Sequence, residues 1–218
     1  DQALIIFAAE NPRPNFNLLD RFLVMMEYQD VPVIICFNKA DLCSKDYLGK
    51  LESVYIGAGY RVVFTSTKTL EGRDELCELL RGKTTTVAGP SGAGKSSIIN
   101  TLQSDVSMET GEISKKLGRG KHTTRHSQLI AVDASEDSFI VDTPGFSTMD
   151  IPGFEKEDLS RCYPEFDKLS SECRFSGCSH INEPDCAVKD ALSHGLIHRE
   201  RYNNYVRLYE EVAAKPRY

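Results

Sequence analysis

The stretch Gly89-Pro-Ser-Gly-Ala-Gly-Lys-Ser96 restricts the possible folds of this chain more than any other, because it fills every position of the pattern GxxxxGK[ST]. TTTVAG (84–89) before it reads as a strand, and a helix is predicted from Lys95 to about Gln103. Strand, glycine turn and helix together form a cradle for phosphate. The glycines let backbone N–H groups converge on phosphate oxygens, and the helix N-terminus adds a favourable dipole. Gly89, Pro90, Ser91, Gly92, Ala93, Gly94, Lys95, Ser96 and Ser97 are the predicted phosphate-binding residues. Lys95 supplies a point charge to the β- and γ-phosphates, and the Ser96 hydroxyl is a Mg²⁺ ligand.

Upstream, ALIIFA (3–8), VPVIICF (31–37) and YRVVFT (60–65) are apolar runs of buried-strand type. Helices are predicted between them and after them. Phe16, Leu19, Leu23 and Met26 share one helical face, a second helix fills 44–58, and a third covers about 72–81. Strands alternating with helices imply right-handed crossovers and a parallel sheet, so the fold class is α/β. SQLIAVD (127–133) and DSFIVD (137–142) are separated by a short polar turn and predict an antiparallel hairpin at the sheet edge. From 155 onward short helices surround a Cys/His-rich loop, which divides the chain into 1–152 and a small, mainly helical 153–218.

NKAD follows the second strand and therefore lies at the carboxyl end of the sheet, where open α/β folds bind ligands. Guanine offers N1–H and an exocyclic amine side by side, and the Asp41 carboxylate accepts from both. Adenine would turn a bare acceptor toward that charge, leaving buried groups unpaired. Asn38 can hold the base and the phosphate loop together, the Lys39 stem can pack over the ring, and Ala40 completes the motif. TSTK (65–68) fits the loop that finishes the base pocket through Ser66. Downstream, Asp142-Thr-Pro-Gly145 matches DxxG: Asp142 would hold the Mg²⁺ shell through water, and the Gly145 N–H would sense the γ-phosphate. Phe146 follows where many GTPases carry a water-orienting glutamine, and phenylalanine cannot orient water. Between the phosphate loop and DxxG, GRGKHTTR (118–125) takes the place of a first switch. Thr124 or Thr123 is its Mg²⁺ ligand, and His122 is either the residue that orients the attacking water or a surface histidine.

The bulk properties agree with a soluble globular protein: 218 residues, 40% hydrophobic, 27% charged. No apolar run reaches the roughly 20 residues of a membrane span, and no leader opens the chain, so a cytoplasmic, membrane-free setting is expected. The first residue, Asp1, enters a strand almost at once, as a fragment of a longer chain would. A net charge of −6 argues against a dedicated nucleic-acid binder, yet KKLGRGKHTTRH (115–126) holds five Lys or Arg and no acid. That run is a solvated loop or a contact to RNA backbone.

Seven cysteines cannot all pair. Cys36, Cys43, Cys77 and Cys162 are scattered and read as small buried hydrophobes. The other three fall in Cys173-x4-Cys178-x-His180-x5-Cys186, three thiolates and one imidazole that make a closed tetrahedral set for one structural Zn²⁺. The region around them has little apolar material, so metal would supply much of its folding energy. After it, LIHRERYNNYVRLYEEV reads as a helix with Ile197, Tyr202, Tyr205, Leu208 and Tyr209 near one face. Arg199, Arg201 and Arg207 on it are solvated arginines or RNA contacts.

The motifs run base reader, pocket loop, phosphate loop, first switch, second switch, which is a circular permutation of the usual GTPase order. With GPSGAGKSSIIN, GRGKHTTRH and DTPGF in this sequence, the chain resembles the ribosome small-subunit-dependent GTPase A family (RsgA, also YjeQ or YloQ) over nearly all 218 residues. The resemblance implies a Ras-like P-loop fold in permuted order, and a monomeric, late-acting maturation factor of the small (30S) ribosomal subunit. Its partners would be 16S-type rRNA and ribosomal proteins, and its turnover of GTP to GDP would be stimulated by the subunit. It maps the family's switch histidine onto His122, its hydrophobic glutamine replacement onto Phe146, and its zinc ligands onto the same Cys173, Cys178, His180 and Cys186. Family members usually also carry an N-terminal OB-fold domain that binds RNA, which this sequence lacks. Permutation makes residues 142–150 lead straight into the C-terminal region, so nucleotide state is expected to reorient it. Two other classes are set against this enzyme. A binding switch with negligible turnover is kept alive by Phe146, and an ATPase or kinase is opposed by Asp41.

Overall fold

The computed structural model describes residues 1–109, 128–133, 137–142 and 155–214. In chain order the elements are β1 (Gln2–Ala8), α1 (Phe16–Tyr28), β2 (Val33–Asn38), α2 (Lys45–Tyr55), β3 (Arg61–Thr65), α3 (Arg73–Leu80), β4 (Thr84–Ala88), α4 (Lys95–Glu109), β5 (Gln128–Asp133), β6 (Ser138–Asp142), α5 (Pro164–Ser170), α6 (Ala187–Ser193) and α7 (Arg199–Ala214). The six strands form one sheet in the order β3-β2-β1-β4-β6-β5. β1 is buried at all seven positions, the signature of a strand covered on both faces. It runs parallel to β4, and β4 runs parallel to β6. β5 pairs antiparallel with β6 and takes the sheet edge, as the hairpin reading expected.

Local boundaries differ from the sequence reading where proline or the lack of a breaker decides. β2 starts at Val33, not Val31, because Pro32 has no N–H to give a ladder. α4 continues six residues past Gln103 to Glu109, since neither Gly nor Pro occurs before Gly111. α1 begins where the Asn15 side chain accepts from Leu18 N at 3.1 Å.

Two compact units are present, and the chain passes between them more than once. The first gathers Asp1–Pro14, Ile34–Ser44 and Val63–Thr148, and the second Asn15–Val33, Lys45–Val62 and Met149–Tyr218. In the first, Leu4, Ile6, Cys36, Val87 and Ile140 of the strands pack with Leu76 and Leu80 of α3 and with Ile98, Ile99 and Leu102 of α4. Burying each such side chain contributes about 1.5–3 kcal/mol. In the second, Val24 of α1 shares a core with Tyr163, Phe166, Val188, Ala191, Tyr205 and Leu208.

The second unit also contains a buried ionic cluster. Arg201, 1% exposed, donates through Nη1 to Asp20 at 2.6 Å and through Nε to Glu165 at 2.7 Å. Asn204 donates to the other Asp20 oxygen at 2.7 Å, and the guanidinium carbon stands 4.4 Å from the Tyr163 ring centre. Arg201 is therefore neither solvated nor turned toward RNA. It joins α1, α5 and α7. Burial raises the Asp20 carboxyl above its ordinary range despite Arg201 beside it. For Arg201 burial works in the other direction, but Asp20 and Glu165 prevail and keep it charged. Among the described residues no helix is long and apolar enough to cross a membrane.

Candidate nucleotide and metal sites

The phosphate loop leaves β4 at Gly89 and enters α4 at Lys95. Two of its glycines are required by close approach. A Cβ on Gly89, at φ +141°, would lie 2.0 Å from the Ile6 carbonyl oxygen of β1. One on Gly94, at φ +92°, would lie 2.2 Å from Asn38 Nδ2. Ser91, Gly92, Ser96 and Ser97 are exposed, while Ala93 is buried against the first core. Lys95 Nζ donates to the Gly89 and Pro90 carbonyls at 2.7 and 2.9 Å, which holds its charge over the loop it serves.

NKAD joins this loop directly. Asn38 Nδ2 donates to Ala93 O at 3.0 Å, so the end of β2 and the phosphate loop are tied by a buried hydrogen bond. Lys39 adopts the left-handed conformation, φ +64°, and its Nζ donates to Asn11 O in the loop after β1. Asp41 is exposed, with Oδ1 accepting from Ser66 Oγ at 2.6 Å. Ser66 Oγ in turn accepts from the backbone N–H of Lys68 and Thr69 at 3.2 and 3.1 Å, which fixes the TSTK turn under the carboxylate. One oxygen of Asp41 is thus oriented by the protein, and Ser66 is its partner.

The β4–β6 register sets Asp142 opposite Val87, two residues before Gly89, so the start of DxxG lies beside the phosphate loop in the sheet. His122, Thr123, Thr124, Gly145 and Phe146 lie outside the described residues.

In the second unit the ligand atoms of Cys173, Cys178, His180 and Cys186 all lie within 4.8 Å of one another. Cys173 Sγ is 3.9 Å from Cys186 Sγ, and His180 Nδ1 is 3.6 and 3.4 Å from those two sulfurs. Tetrahedral zinc with Zn–S of about 2.3 Å and Zn–N of about 2.0–2.1 Å has ligand–ligand edges of about 3.5–3.8 Å, so the cage has the right size for a metal. His180 offers Nδ1 inward, and its Nε2 lies 3.4 Å from Ser170 Oγ, the kind of outer partner that fixes a ligating imidazole. Burial pushes the Cys178 thiol up to about 12, raises Cys186 and lowers His180. Metal entry would therefore displace protons from the thiols.

Glu183, which sequence reasoning passed over, shapes the turn that carries His180. Its carboxylate accepts from Ser179 N at 2.8 Å, Ser179 Oγ at 2.7 Å and Ile181 N at 3.2 Å. Burial alone would raise its pKa, but these donors win and hold it down at about 2. Tyr202 and Tyr205 of α7 donate to the His180 and Ser179 carbonyls at 2.8 and 2.7 Å, so part of the predicted apolar stripe also braces the metal turn. Of the four scattered cysteines, Cys36 and Cys162 are buried, whereas Cys43 and Cys77 are half-buried.

The RsgA GTPase family model matches residues 1–152. Over its whole length the chain is 64% identical to the small ribosomal subunit biogenesis GTPase RsgA of Agathobacter rectalis and spans 72% of that protein. It is 44% identical over 211 residues to the protein of the same name from Clostridium perfringens. Among solved structures it matches YloQ, described as a circularly permuted GTPase, with a TM-score of 0.78 and 35% identity, covering 100% of this chain and 70% of that one. It matches YjeQ from Thermotoga maritima with a TM-score of 0.80 and 35% identity, covering 99% and 72%. A GxxxxGK[ST] loop tied to the asparagine of an NKAD stretch that precedes it in the chain, together with these matches, has one reading: the chain belongs to the RsgA GTPase family.

Proposed function

We propose that this protein hydrolyses GTP to GDP and phosphate as a late maturation factor of the small (30S) ribosomal subunit, and that the subunit stimulates its turnover. The guanine reading is supported above all by the Asp41–Ser66 contact beside the Asn38–Ala93 tie, an oriented carboxylate three residues from the asparagine that holds the glycine loop. The ribosomal reading is supported by relatives named small ribosomal subunit biogenesis GTPase, one of them 64% identical.

In this reading Asn38, Lys39, Ala40, Asp41 and Ser66 form the guanine pocket, and Gly89–Ser97 cradle the phosphates. Lys95 exchanges the Gly89 and Pro90 carbonyls for β- and γ-phosphate oxygens, moving a charge already held in place. Ser96 and Thr124 would hold Mg²⁺, with Asp142 acting through water, and the ion would supply positive charge against the phosphates. Gly145 senses the γ-phosphate and His122 orients the attacking water. Residues 1–152 act as the GTPase domain, and 153–218 as a subdomain held by one structural Zn²⁺ on Cys173, Cys178, His180 and Cys186. The donor set of three sulfurs and one imidazole supports zinc over harder cations. The protein works as a cytoplasmic monomer on 16S-type rRNA and ribosomal proteins.

The test is GTP hydrolysis with and without purified small subunits, with ATP as the control. Stimulation confined to GTP is expected. Turnover that stays negligible on the subunit, despite GTP binding, would replace the enzyme by a binding switch, the reading that Phe146 keeps alive.

A further inference from the structure

The imidazole of the Cys/His cage is held by groups that belong to none of its four ligands. His180 is buried, and its backbone is left-handed, φ +60°, a conformation uncommon outside glycine. One carboxylate fastens the chain on both sides of it. Glu183 Oε1 accepts from Ser179 N and Ser179 Oγ at 2.8 and 2.7 Å, and Oε2 accepts from Ile181 N at 3.2 Å. From α7, Tyr202 donates to the His180 carbonyl at 2.8 Å, and Tyr205 donates to that of Ser179 at 2.7 Å.

The ring is oriented from α5. Ser170 Oγ lies 2.9 Å from the Phe166 carbonyl, and a carbonyl only accepts, so the single Ser170 proton points there. Ser170 Oγ is left to accept, and the hydrogen facing it at 3.4 Å is the one on His180 Nε2. Nδ1 then carries the lone pair, 3.6 and 3.4 Å from the Cys173 and Cys186 sulfurs. Glu165 of α5 accepts from Arg201 of α7 at 2.7 Å, so turn and ring are braced against two helices that are themselves joined.

We propose that Glu183 is a positioning residue for the metal: by binding the backbone on both sides of His180, it keeps the imidazole in place as an Nδ1 ligand. The three sulfurs then supply the soft donors, and Glu183, which touches no metal, sets how firmly the fourth arm of the cage stays closed. This rests on the zinc reading above. Without the carboxylate, Ser179 N and Ile181 N lose their acceptor, the left-handed turn relaxes, and His180 drifts from the sulfurs.

The experiment is competition for zinc between the protein and a coloured chelator, comparing wild type with Glu183→Ala, Glu183→Gln and Glu210→Ala, the last an exposed acid on α7 as control. Alanine should weaken zinc binding about ten- to a hundredfold, and the control should leave it unchanged. Glutamine keeps an oxygen for the Ser179 donors but turns an NH₂ toward Ile181 N, and about threefold weaker binding is expected. The visible spectrum of the cobalt(II) form reports the ligands themselves: in Glu183→Ala it should move toward that of His180→Ala. Zinc affinity within about threefold of wild type in Glu183→Ala overturns the proposal alone. So does weaker binding with an unchanged cobalt spectrum, which would assign the loss to general stability. A wild type that takes up no zinc overturns the zinc reading and this proposal with it. Should Glu183→Ala fail to fold, amide exchange in zinc-loaded Glu183→Gln decides: a faster Ile181 N–H than in wild type supports the brace, and an equal rate overturns it.

Discussion

Replacing Arg201 by methionine should remove more stability than any surface change, and the size of the loss should depend on pH. In the wild type the guanidinium, 1% exposed, faces two carboxylates that are 0 and 7% exposed, Asp20 and Glu165. Methionine fills much of the volume but leaves both acids buried without a cation. Breaking a buried pair from one side costs about 3–5 kcal/mol, far more than the pair contributes against an apolar replacement. The pH dependence follows from Asp20. Burial raises its pKa in the folded state, while the unfolded chain titrates near 3.9, so the native protein retains the proton longer. Stability from this group is full below the unfolded value and falls as pH rises through the folded one. Without Arg201 only the Asn204 hydrogen bond opposes the effect of burial, and the fall steepens. Urea unfolding of the protein, followed by circular dichroism, should therefore show a deficit near the upper figure at pH 8 and a smaller one at pH 5. Adding Asp20→Asn and Glu165→Gln to Arg201→Met should recover most of the deficit at pH 8. A loss under about 1 kcal/mol at pH 8, or a triple variant no more stable than the single, would refute the reasoning.

Gly94→Ala should weaken GDP binding about tenfold or more while the protein stays folded, because the new Cβ takes the place of Asn38 Nδ2; calorimetry alongside a melting curve checks both halves. Asp41→Asn should lower the preference for GTP over ATP by at least about tenfold in competition binding, and unchanged selectivity would remove Asp41 from base reading. Metal analysis should find one zinc per chain. A strong chelator, or Cys186→Ser, should expose the region around 173–193 to protease while leaving GDP binding intact. Protease resistance without metal would show that the two cores and the Glu183 turn suffice.

The glycine loop, the NKAD stretch and the Cys/His cluster were legible because each is a set of particular residue types at fixed short spacing. Gly89 to Ser96 and Cys173 to Cys186 carry their geometry within one stretch of chain. Strand and helix assignments were legible for the same local reason, and they failed only at edges such as Pro32 and Glu109. Arg201 was misread although a signal was present. It stands four residues after Ile197 and four before Tyr205, on the buried stripe of α7, where a lone arginine demands an acid from elsewhere.

The sequence by itself thus determined the motifs: a GxxxxGK[ST] loop, an NKAD stretch, a cluster of three cysteines and one histidine, and the permuted order in which they occur. Which distant residues complete those sites was decided only by the tertiary structure. Asp20 and Arg201 are 181 residues apart, Thr65 and Asn38 27, and Asn38 and Ala93 55. Hydrogen bonds between separate elements depend on register, crossover and burial, and no local spacing encodes them. The fold brings such groups within 3 Å or so, and water-free surroundings then make each partner obligatory.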